Sequence, residues 1–238
     1  MSAAPGPAGP PPQLLEAAAH VFVDDLDDPL LSDEDAHHLR RVLRLRDGEV
    51  VTVSDGAGRW RPCTLSQGTL EPTGPVVTAA APLPAISVAF ALPKGDRPEL
   101  VVQKLTEIGA DVIIPMVTER SVVRWDPERA AKHGARLARV AREAAMQSRR
   151  TRLPVVEALS PFASVVGRVG AALAAPGGAW PRTATPLILV GPEGGWSPAE
   201  LAAARATVGL GDLVLRTETA AIMACTLLVA ERARSVEA

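Results

Sequence analysis

Beyond residue 12 the apolar positions fall into two regimes. In the first, short runs are separated by turn residues. His20–Val23 is apolar enough for a short strand. Residues 32–45, SDEDAHHLRRVLRL, space Leu39, Val42 and Leu43 helically behind Ser32, with Asp35 three positions on, and predict a short N-capped helix. Asp47-Gly48 marks a turn, EVVTVSD alternates as a strand, and Gly56 and Gly58 mark another turn before RWRPCTL. The punctuators EPTGP and APLPA set a boundary near Pro82–Pro84. In the second regime strands and helices alternate. ISVAFAL reads as a buried strand. PELVVQKLTEIGA reads as a helix ending at Gly109, with Leu100, Val101, Leu105 and Ile108 on its apolar side. DVIIPMV is the next strand, and residues 127–148 a long helix. TPLILVG is a strand, SPAELAAARATVG a helix starting at Ser197 with Pro198 in its first position, DLVLR a strand, and TAAIMACTLLVAERAR the closing helix. The pattern predicts a disordered Pro/Gly/Ala tail over 1–12, a small β-rich domain over 13–82, and an α/β domain with a mostly parallel sheet over 84–238.

Composition narrows the class. With 238 residues and 47% apolar side chains, the chain can bury a core in one large or two small domains. Aromatics are 3% with no tyrosine, which argues against reading bases mainly by stacking. Two cysteines are too few for a disulfide framework or a cysteine-built zinc site. No apolar run approaches the roughly 20 residues that span a bilayer, and the N-terminus has neither the charged nor the apolar region of a secretory signal. The expectation is a soluble, cytoplasmic protein without membrane or metal partners.

The formal net charge of -2 argues against a uniformly basic nucleic-acid coat, but it averages over a strong asymmetry. Residues 1–35 carry eight acidic side chains and no Lys or Arg. Residues 120–152 carry ten basic against three acidic side chains, and residues 36–61 six Arg against three acidic. The basic residues are 22 Arg to 3 Lys. A GC-rich genome accounts for such a ratio but not for the clustering, and the arginine fork suits phosphate and carboxylate.

Four constellations have candidate chemistry. LILVGPEGGWSPAEL runs a buried strand into a Gly-rich loop and then a helix N-terminus. Gly191, Gly194 and Gly195 let backbone approach a ligand, and Glu193 would repel phosphate but could anchor a ribose hydroxyl or a cation. The loop is neither GxGxxG nor a P-loop, and a tight connection explains it equally well. LVLRTETA sets Arg216 and Glu218 at a strand's carboxyl end, where open α/β sheets bind ligands; a capped helix with a local Arg–Glu pair is the plainer account. In the long helix Arg129, Lys132, Arg136, Arg139, Glu143 and Gln147 share one face, opposite Ala130, Leu137, Ala141 and Ala144. That face ends in Ser148, Arg149, Arg150 and Arg152, and serves either as a solvated surface or for phosphate. Lys94 follows a strand, and Lys104 and Glu107 lie three apart, as an intrahelical pair or part of a basic lip. His37 and His38 point to different helix faces and lack further ligands for a metal.

Taken in order, HHLRRVLRLRDGE, LPKGD…VQKLTEIG…TERSV, REAAMQSRRTRLP, VGPEGGWS and LVLRTETAA resemble the RsmE family, bacterial 16S rRNA (uridine-N3) methyltransferases of the SPOUT class, over about residues 20–235. The resemblance implies a PUA-like, RNA-binding β-barrel followed by a SPOUT domain with a C-terminal trefoil knot. It further implies a homodimer, S-adenosyl-L-methionine as cofactor, and uridine 1498 of 16S rRNA in the small ribosomal subunit as target. It assigns the cofactor to Gly191, Glu193, Gly194, Gly195, Leu210, Leu215 and Arg216, mainly through backbone groups. Chemistry also suggests Arg150 and Arg216 for charge developing on the uracil, and Glu218 as base or base-orienting group. Lys94, Arg120, Arg136, Arg149 and Arg152 would face RNA phosphate. The chain departs from the pattern at Arg149, where a Gly is usual, at Leu137, where a Trp follows the Arg, at Asp212 and Leu213, and at His20, where an Arg is usual. Rival readings are a SPOUT enzyme for another rRNA or tRNA site, and a non-catalytic RNA-binding ribosome-assembly factor.

Overall fold

A computed structural model describes residues 11–237 of the chain, which form two compact units. The first contains residues up to Ala81 together with Ala145–Leu153; the second contains Pro82–Ala144 and Pro154 onward. Most of the tail expected over 1–12 lies outside the described residues, and Pro12 already opens a helix.

In the first unit α1 (Pro12–Glu16) leads to β1 (Ala19–Phe22), and α2 (Asp33–His37) runs into a π-helical turn, His38–Val42. A sheet follows from β2 (Val50–Ser54), β3 (Arg59–Ser66), β4 (Thr69–Pro72) and β5 (Val77–Thr78). Its order is β1-β2-β3-β4, with β5 also on β3; β1 runs parallel to β2 and the other pairs are antiparallel. Ser32 caps α2 as expected, its hydroxyl accepting the Asp35 N–H. The helix is shorter than its spacing predicts. The wide turn keeps Leu39 and Leu45 on the core while Val42 and Leu43 turn outward, and Arg44 closes it at φ 56°. Alternation in EVVTVSD predicts one buried face of β2, yet both are covered. Val51 and Val53 join the core, whereas Thr52 and Ser54 face polar partners that lead to the excursion at residues 145–153.

That excursion completes the unit. His20 Nε2 donates to the Arg150 carbonyl at 2.9 Å, and its Nδ1 meets the Thr52 hydroxyl at 2.9 Å. The Ser54 hydroxyl donates to the Thr151 carbonyl. Arg149, itself at φ 59°, donates to the carbonyls of Ala17 and Ala18; Arg152 donates to that of Ala79 and lies across Gly58, where a side chain would collide with it. Burial lowers the Arg149 pKa. These donors fasten the excursion to the sheet.

The second unit alternates β6 (Ser87–Ala91), α3 (Arg97–Ile108), β7 (Val112–Val117), α4 (Pro127–Gln147), β8 (Val155–Val156), β9 (Ser160–Pro161), α5 (Phe162–Val166), β10 (Ala171–Ala179), β11 (Leu187–Val190), α6 (Pro198–Ala203), β12 (Thr207–Val208) and α7 (Thr217–Glu237). The last turn of α4 belongs to the first unit. Strand order is β12-β10-β11-β6-β7-β8, with β9 also on β7, and every pair is parallel. Pleating sends Val88, Phe90, Ile113, Ile188 and Val190 to one face, against α3, α4 and α7. It sends Ala89, Ile114, Met116, Leu187 and Leu189 to the other, against α5 and Trp196. Coverage of both faces explains why these strands read as unbroken apolar runs.

Three expectations need revision. SPAELAAARATVG is helical only to Ala203, and its end supplies β12. DLVLR is not a strand but an irregular loop, in which Leu213 is 81% and Val214 100% exposed. On α3 it is Val102, not Leu100, that joins Val101 and Leu105 in the core. The parallel strand β10 is carried by AALAAPGGA, whose small residues give little signal of their own.

Candidate active site

The carboxyl ends of the adjacent strands β7, β6 and β11 all emerge on one edge of the sheet, as parallel strands must, and three loops leave from there. The one after β11, Gly191–Ser197, turns sharply, with the Gly195 N–H donating to the Pro192 carbonyl and Gly195 at φ 68°. Gly191 is required by contact: a β-carbon there would come within 3.0 Å of the Trp196 indole, which is anchored by its own N–H to the Ala174 carbonyl. A β-carbon at Gly195 would meet nothing within 4 Å, so the backbone borders open space.

Side chains bind the loops to one another. Ser197 and Glu200 form a reciprocal capping box at the start of α6. The second carboxylate oxygen of Glu200 accepts the Glu119 N–H at 2.8 Å and so ties in the loop after β7. Within that loop Ser121 receives the Thr118 N–H. Arg120 donates back to the Gly194 carbonyl at 2.9 Å. The Thr217 hydroxyl donates to the Gly191 carbonyl at 3.0 Å and joins the start of α7 to the Gly-rich loop.

Charge gathers at the same edge. Arg97, in the first turn of α3, lies 3.4 Å from Glu218 and 3.9 Å from Glu193. The Glu218 side chain is 13% exposed, and its Oε2 is buried without a hydrogen-bond partner. Sequence spacing offers Arg216 as the partner of Glu218; the structure gives it Arg97 instead and leaves Arg216 exposed. Arg97 lies between Lys94 and Lys104 in the fourth constellation, where its spacing gives it no role. Its position four residues before Val101 puts it at the helix start, but only the fold brings that start to Glu218.

The remaining candidates scatter more widely. Leu210 and Leu215 flank the exposed loop and pack against the core beside α7. Lys94 is exposed in the loop after β6. Arg136 pairs with Glu99 at 3.0 Å, and Lys104 with Glu107 at 2.7 Å, the latter an ordinary intrahelical pair. Arg150 belongs to the first unit, where its carbonyl receives His20, whereas Arg216 and Glu218 belong to the second. Among the described residues no cluster of His, Cys, Asp and Glu suits a metal ion, and no helix is long and apolar enough to cross a membrane.

This arrangement matches known proteins over most of its length. An RNA methyltransferase domain family matches residues 80–229, and an RNA methyltransferase PUA domain family matches residues 31–69. The chain is 34% identical to ribosomal RNA small subunit methyltransferase E of Mycobacterium bovis, over 85% of this chain and 88% of that protein. It is 31% identical to the Bacillus subtilis protein of that name, over 83% and 88%. The crystal structure of the Neisseria gonorrhoeae protein of the same name, bound to S-adenosyl methionine, superposes with a TM-score of 0.73 at 28% identity, covering 87% of this chain and 95% of that one. The first unit thus carries a PUA-like domain, the second an RNA methyltransferase domain, and the chain belongs to the ribosomal RNA small subunit methyltransferase E family that its motifs resemble.

Proposed function

We propose that the protein transfers a methyl group from S-adenosyl-L-methionine to N3 of a uridine in small-subunit rRNA, uridine 1498 of 16S rRNA by family resemblance. The reading includes a cytoplasmic homodimer, a first unit closed as an RNA-binding barrel over about 13–82, and a SPOUT domain over about 84–238 with a knotted C-terminal part. The observation that carries it is the set of cross-linked loops at one sheet edge, with open space beside Gly195 and an unsatisfied Glu218 oxygen buried among them.

The residues present suit the cofactor, which supplies a methyl group already activated on a sulfonium. Gly191, Gly194, Gly195 and Glu193 offer backbone groups and a carboxylate, and Leu210 and Leu215 an apolar flank. The chain's own task is then positioning and charge control. N3 of uracil holds a proton and lies on the pairing edge, so the base must leave its helix and lose that proton as the methyl arrives. Exposed Arg216 is poised to stabilise the negative charge that develops on the uracil oxygens, with Arg150 a second candidate from the first unit. Glu218 is the candidate acceptor of the proton. Lys94, Arg120, Arg136, Arg149 and Arg152 remain the candidate phosphate contacts.

Mapping 16S rRNA from a strain lacking the gene tests the assignment: N3-methyluridine should disappear from one position and return on complementation. Retention of the modification, or its loss elsewhere, overturns the target. In a purified assay Arg216→Ala should lower kcat by about a hundredfold, the usual cost of removing one donor to developing charge.

A further inference from the structure

Two features of the Glu218 carboxylate are at odds with a purely structural ion pair. Its Oε1 faces the Arg97 guanidinium at 3.4 Å, but its Oε2 is buried with no donor. Leaving a buried polar atom unsatisfied is costly, and a catalytic role is one reason such an atom persists. Arg97 stands where three pieces of chain converge. It rises from the loop after β6, reaches Glu193 in the Gly-rich loop at 3.9 Å, and reaches Glu218 in the first turn of α7. One nitrogen, Nη1, faces both carboxylates, so a single positive charge at this point serves the two together.

We propose that Arg97 is a positioning residue that orients Glu218, so that Oε1 is spent on the guanidinium and Oε2 is the acceptor for the N3 proton of the target uridine. This rests on the methyltransfer reading above. In the step, the N3–H proton passes to Glu218 Oε2 and the N3 electron pair forms the bond to the methyl carbon. The carbon–sulfur bond breaks with its pair on sulfur, leaving N3-methyluridine, S-adenosylhomocysteine and a neutral carboxylic acid that later loses its proton to water. Without Arg97, Glu218 would keep its place in the sequence but not a fixed rotamer, and its acceptor oxygen would wander from the reacting nitrogen.

The test compares wild type, Arg97→Ala, Arg97→Lys and Glu218→Gln in methyl transfer to 16S rRNA assembled in small subunits. Cofactor affinity is measured separately by calorimetry, and folding by circular dichroism. Arg97→Ala should lower kcat at least tenfold with KM for RNA and cofactor affinity within threefold of wild type. Arg97→Lys should recover a substantial part of kcat, and Glu218→Gln should lose as much as Arg97→Ala or more. Unchanged kcat in Arg97→Ala overturns the proposal. So does a loss confined to cofactor affinity, since Oε2 would then receive the cofactor's ammonium, and so does a loss that lysine does not relieve. Wild-type protein inactive on small subunits would instead refute the methyltransfer reading, and the proposal with it.

Discussion

At the scale of single residues the chemistry depends on which polar atoms are satisfied. His20 is buried between the Thr52 hydroxyl and the Arg150 carbonyl. Burial, with the Arg149 cation adding, outweighs the favourable carbonyl and depresses its pKa from 6.5 to about 4. The unfolded chain therefore binds this proton more readily, so folding stability is fully present above pH 6.5 and is lost as pH falls towards 4. The span corresponds to about 3 kcal/mol. Urea denaturation from pH 7.5 to 4 should show a loss of that order in wild type and a flatter profile in His20→Gln. The site residues were partly legible at this scale. GPEGG and RTET announce themselves because glycine and charge are unusual at those positions in an apolar strand–helix pattern. The Arg97–Glu218 pair was not legible, since its members lie 121 positions apart and neither repeats a spacing that would betray the other.

Elements locate these atoms, and here the apolar pattern is strongest where burial is on both sides. β7 and β11 were readable because each carries branched or large residues to both faces of a covered sheet, and β6 because Val88 and Phe90 fill one face while Ala89 lies on the other. DLVLR shares that composition but finds no strand to pair with and stays a loop. β10 has the opposite character: AALAAPGGA is a strand because β11 and β12 flank it, and small residues suffice there. A single helix start shows how an element can hold the site. Glu200 is buried and accepts the N–H groups of Ser197 and Glu119, so truncation orphans two donors and removes the reciprocal half of the α6 capping box. Glu200→Ala should cost about 2 kcal/mol in chemical denaturation and also reduce cofactor affinity, because the loops on both sides lose their tie.

Across the whole molecule, the near-neutral charge conceals where RNA would be met. In the excursion at 145–153, Arg149 and Arg152 spend donors on carbonyls of the first unit. The arginines around the π-helical turn are differently placed: Arg41, Arg44 and Arg46 are exposed beside Val42 and Leu43. Replacing all three by alanine should weaken binding to a 16S rRNA fragment and reduce the slope of log affinity against log salt by about 2. Equal slopes for variant and wild type would remove this turn from the RNA surface. The division near Pro82 was readable from proline and glycine punctuation. The return of the chain to the first unit was not, because it begins inside the helix expected over 127–148 and no punctuation marks Ala145 as a boundary.

That return fixes an order of events during synthesis. The polypeptide emerges from the ribosome N-terminus first, yet the carbonyls that receive His20 and Ser54 belong to Arg150 and Thr151. The first unit must therefore wait, with His20 Nε2 and the Ser54 hydroxyl lacking these acceptors, until β6, α3, β7 and all of α4 have been made. A ribosome stalled before residue 150 would carry a nascent chain in which the first unit lacks its closing segment.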